Sequence, residues 1–460
     1  MRLDELTGLR VVVWGLGQEG VAVVRLLSER GVVPRLVDDR PEEATTRASV
    51  VTGSPVDAPR DVRWDDVDVV VRSPGVGRYR PELAEAEAAG VRVTTSMAMW
   101  LEDFADARVV AVTGTKGKST TATLTASILR ADGLDVALIG NIGTPVTETY
   151  GRPLADAYVV EVSSYQAADV TVSPGVSVLT GLAPDHLDWH GGEEAYYRDK
   201  LRLVDAGPPG ALAVNAGSPE AVRRTEHRPD RLLFGPRGRV VVTPSGMIEV
   251  DGASLADATL LRAPGRHNAW NLCGAVAGSL LLNGRAPSPG AVATAIDGFD
   301  SLPSRCRTIG ERDGVVFVDD ALASNPSATM ASVEAFDGRA LTVIVGGADR
   351  GVDPTGLLQA LAARRPPPRV IVLPPDPDRL AGPLASFAAE VAGGGPGLCV
   401  EVATGVGDAV RRASDSTPRG GVVLFSPAAP TPEGEGGYSA RSRQFAVAAA
   451  VSGPAPTAGG

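Results

Sequence analysis

"VVAVTGTKGKSTTATLTASILRA", residues 109–131, joins a short apolar strand, a glycine loop and a segment of helical composition. Its loop, "TGTKGKST" (113–120), carries the Gly-Lys-Ser order of a phosphate-binding loop. In such a loop backbone N–H groups surround phosphate oxygens, the lysine reaches the β- and γ-phosphates, and the serine hydroxyl ligates Mg²⁺. The helix N-terminus that follows favours an anion. The stretch therefore predicts a nucleotide-binding α/β domain.

The loop departs from the general pattern in one place. That pattern has a glycine five residues before Gly117, where this chain has Val112, and the other glycine of the loop is Gly114. A chance Gly-Lys-Ser in a surface loop is the alternative interpretation. The strand before the loop and the helix after it favour the phosphate loop.

A second glycine motif lies near the N-terminus. "VVVWGLGQEG" (11–20) is an apolar strand that runs into G-x-G-x-x-G on Gly15, Gly17 and Gly20, the form of a dinucleotide-binding turn. Asp38 lies at the distance from these glycines where a nicotinamide enzyme holds the ribose, which keeps a dehydrogenase open as an alternative. A dehydrogenase has no use for the loop at 113–120, which weakens that alternative.

Apolar runs alternate with helical stretches along almost the whole chain, and nearly every run ends in Gly, Ser, Asp or Pro. This alternation predicts parallel α/β layers, with ligands at the carboxyl ends of the strands. We expect three domains: a Rossmann-like unit over 1–106, a central P-loop ATPase-type α/β domain over 107–297, and a Rossmann-like α/β domain over 298–460. Residues 206–260 are expected to contain short strands, and "SGPAPTAGG" (452–460) to be disordered. The strand candidates are "RVVVWG", "PRLVDD", "DVVVRS", "VVAVTG", "DVALIG", "AYVVEVS", "VSVLTGL", "VVFVDD", "LTVIVGG", "RVIVLP" and "GVVLFS".

Composition narrows the class of protein. The 460 residues carry a net charge of −11, which argues against nucleic acid as a main partner. The N-terminus lacks the apolar segment of a signal peptide, and no apolar run is long enough for a membrane span. The three cysteines, Cys273, Cys306 and Cys399, are widely spaced and fit reduced core thiols. We expect a cytoplasmic protein without a membrane span.

Ionisable residues follow three further strand candidates. "VVEVSSYQ", "GLAPDHLDWHGG" and "YYRDKLRL" contain Glu161, Asp185, His186, Asp188, His190 and Lys200. Mg²⁺ takes carboxylate, water and substrate oxygens, so Glu161 can supply one ligand and His186 can serve a second ion. Each residue also has an ordinary interpretation: a helix cap for Glu161, a hydrogen-bonded loop histidine for His186, and a surface lysine for Lys200.

Taken together, nine motifs resemble those of the Mur ligases in order and spacing, over residues 8 to 446. The resemblance is greatest to the glutamate-adding branch, and it implies an ATP-dependent enzyme that joins an amino acid to a UDP-N-acetylmuramoyl acceptor in peptidoglycan precursor synthesis. In that reaction the alanyl carboxylate attacks the γ-phosphate of ATP to give an acyl phosphate, which the amine of glutamate then attacks. The motifs are "TGTKGKST", "GNIGTP", "EVSSYQ", "DHLDWHG", "DKLRL", "GRHNAWN", "LPSRCR", "DDALASN" and "GGADRGVD".

The resemblance also implies roles for particular residues. The N-terminal turn would hold UDP rather than NAD, and the catalytic residues would be Lys118, Lys200 and His186. Mg²⁺ would be held by Ser119, Glu161, His186 and a Lys200 carbamylated by CO₂. The UDP-substrate set would be Gly17, Gln18, Glu19, Asp39, Arg40, Ser73, Asn141 and Ser163. The ATP set would be Gly114, Thr115, Lys116, Gly117, Lys118, Ser119, Thr120, Asn268, Asn271, Arg305 and Asp320.

The match to the D-glutamate enzymes weakens in the third domain. Those enzymes carry a lysine where this chain has Leu322, and another where it has Arg350. Arg350 can clamp a carboxylate with a different geometry. "WGLGQEG" and "HLDWHGG" resemble a branch that adds L-glutamate and works with a separate epimerase. We therefore expect L-glutamate, with D-glutamate as the alternative, and amino-acid contacts from Ser324, Arg350, Thr431 and Tyr438.

Two other functions stay open at this point. One is a ligase of the same superfamily with a folate or cyanophycin-type acceptor, although a folylpolyglutamate ligase begins near its phosphate loop. The other is a non-catalytic nucleotide sensor, which would tolerate the loss of Lys118 or Lys200.

Overall fold

The computed structural model describes residues 1–48, 53–263, 265–349, 351–391 and 398–450. The chain divides into two compact units. The first consists of Met1–Thr259 and Trp270–Ile296, and the second of Leu260–Ala269 and Asp297–Gly460.

The first sheet of the first unit is doubly wound. Its five parallel strands have the order β3-β2-β1-β4-β5. The chain adds β2 and β3 on one side of β1 and then β4 and β5 on the other side. All four residues of β1 are buried, as an apolar strand covered by helices on both faces requires. The strands are β1 (Val11–Trp14), β2 (Arg35–Val37), β3 (Val56–Asp57), β4 (Val69–Arg72) and β5 (Arg92–Thr94), and the helices are α1 (Gln18–Glu29), α2 (Pro41–Ala48), α3 (Pro81–Ala88) and α4 (Ser96–Asp103).

The second sheet of this unit has nine strands among the described residues, in the order β14-β13-β12-β11-β10-β9-β6-β8-β7. Pairing is parallel from β7 to β12 and antiparallel from β12 to β14. The strands are β6 (Val109–Thr113), β7 (Val136–Gly140), β8 (Ala157–Glu161), β9 (Val176–Leu179), β10 (Ala211–Asn215), β11 (Leu232–Gly235), β12 (Val240–Val242), β13 (Met247–Val250) and β14 (Ala253–Asp257). The helices are α5 (Lys118–Ala131), α6 (Ser164–Ala167), α7 (Leu187–His190), α8 (Glu193–Asp205), α9 (Pro219–Arg224), α10 (Arg266–Asn283) and α11 (Pro289–Asp297), of which α10 contributes residues to both units.

The second unit contains a six-stranded sheet of order β15-β16-β20-β17-β18-β19, parallel except for β15. Its strands are β15 (Arg307–Arg312), β16 (Val315–Asp319), β17 (Leu341–Val345), β18 (Arg369–Val372), β19 (Cys399–Val402) and β20 (Val422–Phe425). Its helices are α12 (Pro326–Glu334), α13 (Thr355–Ala363), α14 (Asp378–Val391), α15 (Val406–Ser416) and α16 (Gly437–Ala449). Short 3₁₀ helices cover Leu3–Leu6, Pro59–Asp61, Trp64–Asp66, Val146–Thr149 and Ala258–Leu260.

The α/β class and all eleven strand candidates are confirmed, and residues 206–260 contain strands β10 to β14. Most strands without a candidate are short or lie near a sheet edge, whereas β10 is a buried five-residue strand in the middle of the second sheet that the apolar pattern did not single out. The boundaries at 106 and 297 stay predictions, and the tail at 452–460 lies outside the described residues. Cys273 and Cys306 are buried free thiols, and Cys399 is an exposed one. Across the described ranges, none of the helices combines the length and apolar character that a bilayer crossing needs.

Candidate active site

The phosphate loop lies between β6 and α5, at the carboxyl edge of the second sheet. Gly117 adopts a left-handed conformation (φ +84°) and caps α5, so Lys118 and Ser119 form the first turn of that helix. A Cβ on Gly117 would come within 2.3 Å of the Asn271 side-chain oxygen. Glycine is therefore required both by the backbone and by the packing of α10 against the loop. This contact brings Asn271, predicted from its motif, to the loop.

The other glycine of the loop, Gly114, is equally constrained. A Cβ on Gly114 would approach the Thr180 hydroxyl to 2.1 Å, and the same hydroxyl donates to the Lys116 carbonyl at 2.6 Å. Thr115 is held by a hydrogen bond from its backbone N–H to the Gly181 carbonyl at 2.8 Å. The loop conformation is thus set by β9 and the residues after it, which explains how this loop forms without a glycine at 112.

Lys200 reaches the loop from helix α8. Its side chain is buried, with the residue 1% exposed, and its Nζ donates to the Gly114 carbonyl at 3.0 Å. Burial lowers the pKa of Lys200 well below its ordinary value, and the positive charge of Lys118 lowers it further. CO₂ reacts with the neutral amine, and a lowered pKa favours that form, so the site suits the carbamylation expected from the resemblance.

Three buried polar atoms near this loop have no hydrogen-bond partner in the described structure. They are the Ser119 hydroxyl, Oε2 of Glu161 and Nδ1 of His186. Glu161 ends β8, directly beside Val112 of β6, and its Oε1 accepts from the Asn141 side chain at 2.8 Å. Unpaired buried polar atoms are costly, and a ligated ion removes that cost. The set therefore fits Mg²⁺.

No group of three or more His, Cys, Asp or Glu residues in the described ranges is arranged to hold a metal by itself. Mg²⁺ binds through few protein ligands and completes its shell with water and phosphate oxygens. The expected ligands Ser119, Glu161 and His186 are consistent with that incomplete kind of site.

Asp185 and His186 begin the motif that follows β9. Asp185 Oδ2 lies 3.4 Å from Lys116 Nζ. Burial raises the pKa of Asp185, but the positive charges of Lys116 and Lys118 help to hold that pKa below its ordinary value. Burial lowers the pKa of His186 to about 4, so the ring is neutral and can act as a ligand at physiological pH.

The three lysines of the chain, Lys116, Lys118 and Lys200, all belong to this site. Tyr196 joins them: its hydroxyl is hydrogen-bonded to that of Thr115 at 2.7 Å, and its ring lies 5.1 Å from Lys200 Nζ. Sequence reasoning missed Tyr196. The signal that could have identified it is its position four residues before Lys200, which places both residues on the same face of α8.

The N-terminal turn has the geometry of an anion site. Gly17 caps α1, and Gly15 has φ +90°. A Cβ on Gly20 would come within 1.9 Å of the Gly15 carbonyl oxygen, whereas one on Gly17 would meet no atom within 4 Å. Gly20 therefore allows the helix to approach the strand, and Gly17 leaves the helix N-terminus open to a ligand.

Asp38 is engaged with the turn itself. Its carboxylate accepts from the Leu16 backbone N–H at 2.7 Å and from that of Arg40 at 3.0 Å. The Asp38 carboxylate is therefore bonded to the backbone of the turn, and its spacing from the glycines does not make it a ribose ligand. The dehydrogenase alternative loses its main support.

The other residues expected at UDP lie around this turn. Gln18 is exposed, Asp39 pairs with Arg80, and Ser73 donates to the Gly15 carbonyl. Arg40 is exposed and pairs with Glu43 at 3.1 Å.

Glu19 differs from the others. Its carboxylate accepts from Gln166 at 2.9 Å and from Ser96 at 3.2 Å, so it joins the two sheets of the first unit. Ser163 caps α6 through Gln166. Direct contacts of Glu19 and Ser163 with a ligand stay predictions.

The second unit carries the remaining expected residues. Asp320 directly follows β16 and is buried; its carboxylate accepts from the Cys306 N–H at 3.0 Å and from the hydroxyls of Ser332 and Ser426 at 2.7 Å. Burial raises its pKa to about 6. Arg305 is half-buried, and Asn268 is buried near the start of α10. Their assignment to ATP stays a prediction.

Three of the four residues expected to contact the amino acid are described, and all three belong to the second unit. Ser324 and Thr431 are half-buried, and Tyr438 is exposed in the first turn of α16. Arg350 lies outside the described residues. All four assignments stay predictions.

A doubly wound domain joined to a P-loop domain, with a buried lysine at the loop and unpaired oxygens suited to Mg²⁺, defines a multidomain nucleotide-dependent α/β enzyme. Models of two families match the chain: the Mur ligase middle domain over residues 112–278, and the MurD-like N-terminal domain of Mur ligases over residues 9–95. The chain belongs to the Mur ligase family.

Curated relatives match nearly the whole chain. A UDP-N-acetylmuramoyl-L-alanine--L-glutamate ligase of a Micromonospora species is 41% identical over 97% of this chain and 98% of the relative. The protein of the same name from Salinispora tropica is 42% identical over 97% and 99%, and that of Xylella fastidiosa strain 9a5c is 35% identical over 98% and 97%.

Solved structures confirm the fold. The UDP-N-acetylmuramate-alanine ligase MurC of Thermotoga maritima matches with a TM-score of 0.58 at 17% identity, covering 95% of this chain and 98% of that one. The MurF ligase of Thermotoga maritima, in complex with ADP, matches with a TM-score of 0.60 at 15% identity, covering 89% and 91%.

Proposed function

We propose that this protein is an ATP-dependent ligase that adds L-glutamate to UDP-N-acetylmuramoyl-L-alanine in peptidoglycan precursor synthesis. The observation that carries the proposal is a P-loop with a buried Lys200 on its Gly114 carbonyl, in a chain about 40% identical over its full length to ligases of that name. A nucleotide sensor has no need of a second, desolvated lysine at the phosphates.

The acceptor's uridine end is assigned to the N-terminal turn. The helix N-terminus at Gly17 and the residues Gln18, Asp39, Arg40 and Ser73 offer N–H groups, hydroxyl and charge to a diphosphate and a ribose. The muramoyl and alanyl end then extends to Asn141, Ser163 and His186. This assignment gives the G-x-G-x-x-G turn a function without a nicotinamide.

ATP is assigned to residues 114–120. Lys118 and the loop N–H groups neutralise charge on the phosphates. Ser119, Glu161 and His186 would hold Mg²⁺, which when bound would supply positive charge to the phosphoryl group during transfer. The acceptor carboxylate is held in line with the γ-phosphate, so an acyl phosphate forms and ADP leaves. Glutamate then displaces phosphate. Lys200, once carbamylated, presents an acceptor instead of a cation to the ion.

L-glutamate is favoured over D-glutamate by two observations. The curated relatives carry L-glutamate in their names. Leu322 stands where D-glutamate ligases carry a lysine, so the carboxylates of the amino acid need other partners, for which Arg350, Ser324, Thr431 and Tyr438 are the candidates. The L product also requires a separate epimerase if the cell wall contains D-glutamate.

The test is product formation with purified protein, ATP, Mg²⁺, L-glutamate and UDP-N-acetylmuramoyl-L-alanine. We expect a product heavier than the acceptor by one glutamyl residue, with one phosphate released per product. Omission of the acceptor is the control, since a nucleotide hydrolase would release phosphate without it. Turnover with a folate-type acceptor and none with the UDP acceptor would contradict the proposal.

A further inference from the structure

A chain of hydrogen bonds, buried except at Tyr79, which is 49% exposed, links the two sheets of the first unit beside Lys200. The Tyr79 hydroxyl donates to Oδ1 of Asp199 at 2.6 Å, and Oδ2 of Asp199 lies 2.7 Å from Nδ1 of His190. Nε2 of His190 then lies 3.0 Å from the Ser164 hydroxyl. Asp199 and His190 are each 1% exposed, and Ser164 is 4% exposed.

The direction of the chain follows from its chemistry. An ionised carboxylate only accepts hydrogen bonds, so Tyr79 and Nδ1 of His190 both donate to Asp199. With the Nδ1 proton directed at Asp199, Nε2 lies within hydrogen-bond distance of the Ser164 hydroxyl. The buried members Asp199, His190 and Ser164 are held by these contacts, and a buried network satisfied in this way is rigid.

The order Ser-His-Asp is also that of a hydrolytic triad. Here Ser164 is the first residue of α6, and the serine and the histidine are both buried. A nucleophile must be reachable by its substrate, so this burial excludes hydrolysis and leaves a positional function.

The chain connects three parts of the site. Tyr79 lies in the segment after β4, which also carries Ser73. Ser164 follows Glu161 by three residues, and Asp199 immediately precedes Lys200 on α8. Neighbours on a helix differ in direction by about 100°. Asp199 accordingly contacts Tyr79 and His190, whereas Lys200 contacts the Gly114 carbonyl.

We propose that Asp199 is a positioning residue for the ligation. Through its hydrogen bonds to His190 and Tyr79 it fixes α8, so that the Lys200 amine stays on the phosphate loop. The same bonds hold the first sheet of this unit, which carries the proposed UDP site, in place beside the loop. The inference rests on the proposed function for its kinetic consequence. Its geometric part, that the chain fixes α8, stands independently.

Proteins with a substitution in this hydrogen-bond chain should still fold, because separate contacts join the same two sheets. Arg72 and Asp169 form a buried ion pair, and the Arg72 guanidinium lies 5.2 Å from the centre of the Trp189 ring. Glu19 and Gln166 add a hydrogen bond at 2.9 Å.

The same helix supplies a matched control. Asp205, at the end of α8, also pairs with a histidine, His227, at 2.9 Å, but both side chains are exposed (39% and 54%). Asp205→Asn makes the same chemical change on the same helix, at its exposed C-terminal end and outside the hydrogen-bond chain.

The kinetic experiment compares wild type, Asp199→Asn, Tyr79→Phe and Asp205→Asn in the ligase assay, with equal thermal unfolding as the criterion for a folded variant. We expect Asp199→Asn to lower kcat about 100-fold with KM for ATP within about twofold, since a displacement of about 1 Å costs that much. Tyr79→Phe should give the same pattern at about fivefold, and Asp205→Asn should match wild type. A folded Asp199→Asn with kcat within threefold of wild type, or equal losses in Asp205→Asn, would overturn the inference. If Asp199→Asn does not fold, Tyr79→Phe decides by the same criteria.

Amide hydrogen exchange separates this inference from the proposed function. Asp199→Asn and Tyr79→Phe should speed exchange across residues 193–205 about tenfold, and Asp205→Asn should not change it in residues 193–201. If wild type lacks ligase activity, the proposed function is wrong, and the exchange result decides whether the chain fixes α8. Unchanged exchange in both chain variants overturns the positional claim.

Discussion

Nζ of Lys200 lies 3.0 Å from the carbonyl oxygen of Gly114, so a lysine on α8 is hydrogen-bonded to the beginning of the phosphate loop, 86 residues earlier in the sequence. The amine is fully enclosed, and Lys118 contributes a second positive charge nearby. Two cations this close oppose each other unless one is neutral or modified. The chemistry of the site therefore depends on the state of Lys200.

Carbamylation of Lys200 can be tested by ¹³C NMR with ¹³C-labelled bicarbonate at pH 8. Only a neutral amine reacts with CO₂, and Lys200 is the lysine whose pKa burial lowers well below its ordinary value. We expect one carbamate resonance, which Lys200→Arg removes and Lys116→Arg retains. Assignment is simple because the chain has three lysines. A resonance that survives Lys200→Arg would contradict the expectation.

Glu161→Gln should abolish the response to Mg²⁺. The substitution keeps an acceptor for the Asn141 amide but removes the charge on the unpaired oxygen. We expect at least about a 100-fold loss of product formation at 1 mM Mg²⁺, on the scale of losing one transition-state contact. In differential scanning fluorimetry with ATP, the Mg²⁺-dependent rise in unfolding temperature should also disappear. Glu148→Gln, an exposed carboxylate, is the control and should behave as wild type.

Gly20→Ala should destabilise the protein, whereas Gly17→Ala should leave its stability unchanged. A Cβ at Gly20 overlaps the Gly15 carbonyl at 1.9 Å, so we expect a loss of at least about 2 kcal/mol in the free energy of unfolding. A Cβ at Gly17 meets nothing within 4 Å, and its φ of −73° suits any residue. Gly17→Ala should fold normally and raise KM for the UDP acceptor alone. Urea titration and substrate-saturation curves measure the two effects, and normal stability of Gly20→Ala would contradict the geometry.

The stability of the second unit should depend on pH through Asp320. Its pKa is about 6 when folded and about 3.8 when unfolded, so the folded state holds the proton more tightly. That contribution is complete below about pH 4 and is lost as pH rises through about 6. It amounts to about 3 kcal/mol for this buried group.

Asp320→Asn has no proton to lose, so its unfolding free energy relative to wild type should improve between pH 4 and pH 7. Asp319 is present in both proteins, but its carboxylate interacts with that of Asp320, so the comparison reports the titration of the pair. A difference between the two proteins that stays constant from pH 4 to 7, measured by denaturant unfolding, would show that Asp320 does not titrate in this way.

Local patterns in the sequence predicted much of this structure. Buried parallel strands are continuous apolar runs, and the Gly-Lys-Ser loop between a strand and a helix forms where the pattern indicates. Asp38 shows a limit: its distance from the glycines fits a ribose ligand, but its carboxylate bonds to the backbone of the turn. Spacing gives the position of an acid and not the direction of its side chain.

Contacts between distant segments could not be predicted. Nothing in the pattern of Tyr79, His190 or Asp199 indicates that they meet, because the meeting depends on how the two sheets of the first unit pack. The contact of Asn271 with Gly117 is likewise tertiary, although its motif had marked the residue.

The central claim is tested most directly by offering L-glutamate and D-glutamate separately to the purified protein with ATP, Mg²⁺ and UDP-N-acetylmuramoyl-L-alanine, and following the glutamyl product by mass spectrometry. The account predicts product and stoichiometric phosphate with L-glutamate, and at least about 100-fold less with D-glutamate. Product with D-glutamate alone would contradict the stereochemical assignment, and no product with either enantiomer would contradict the assigned reaction.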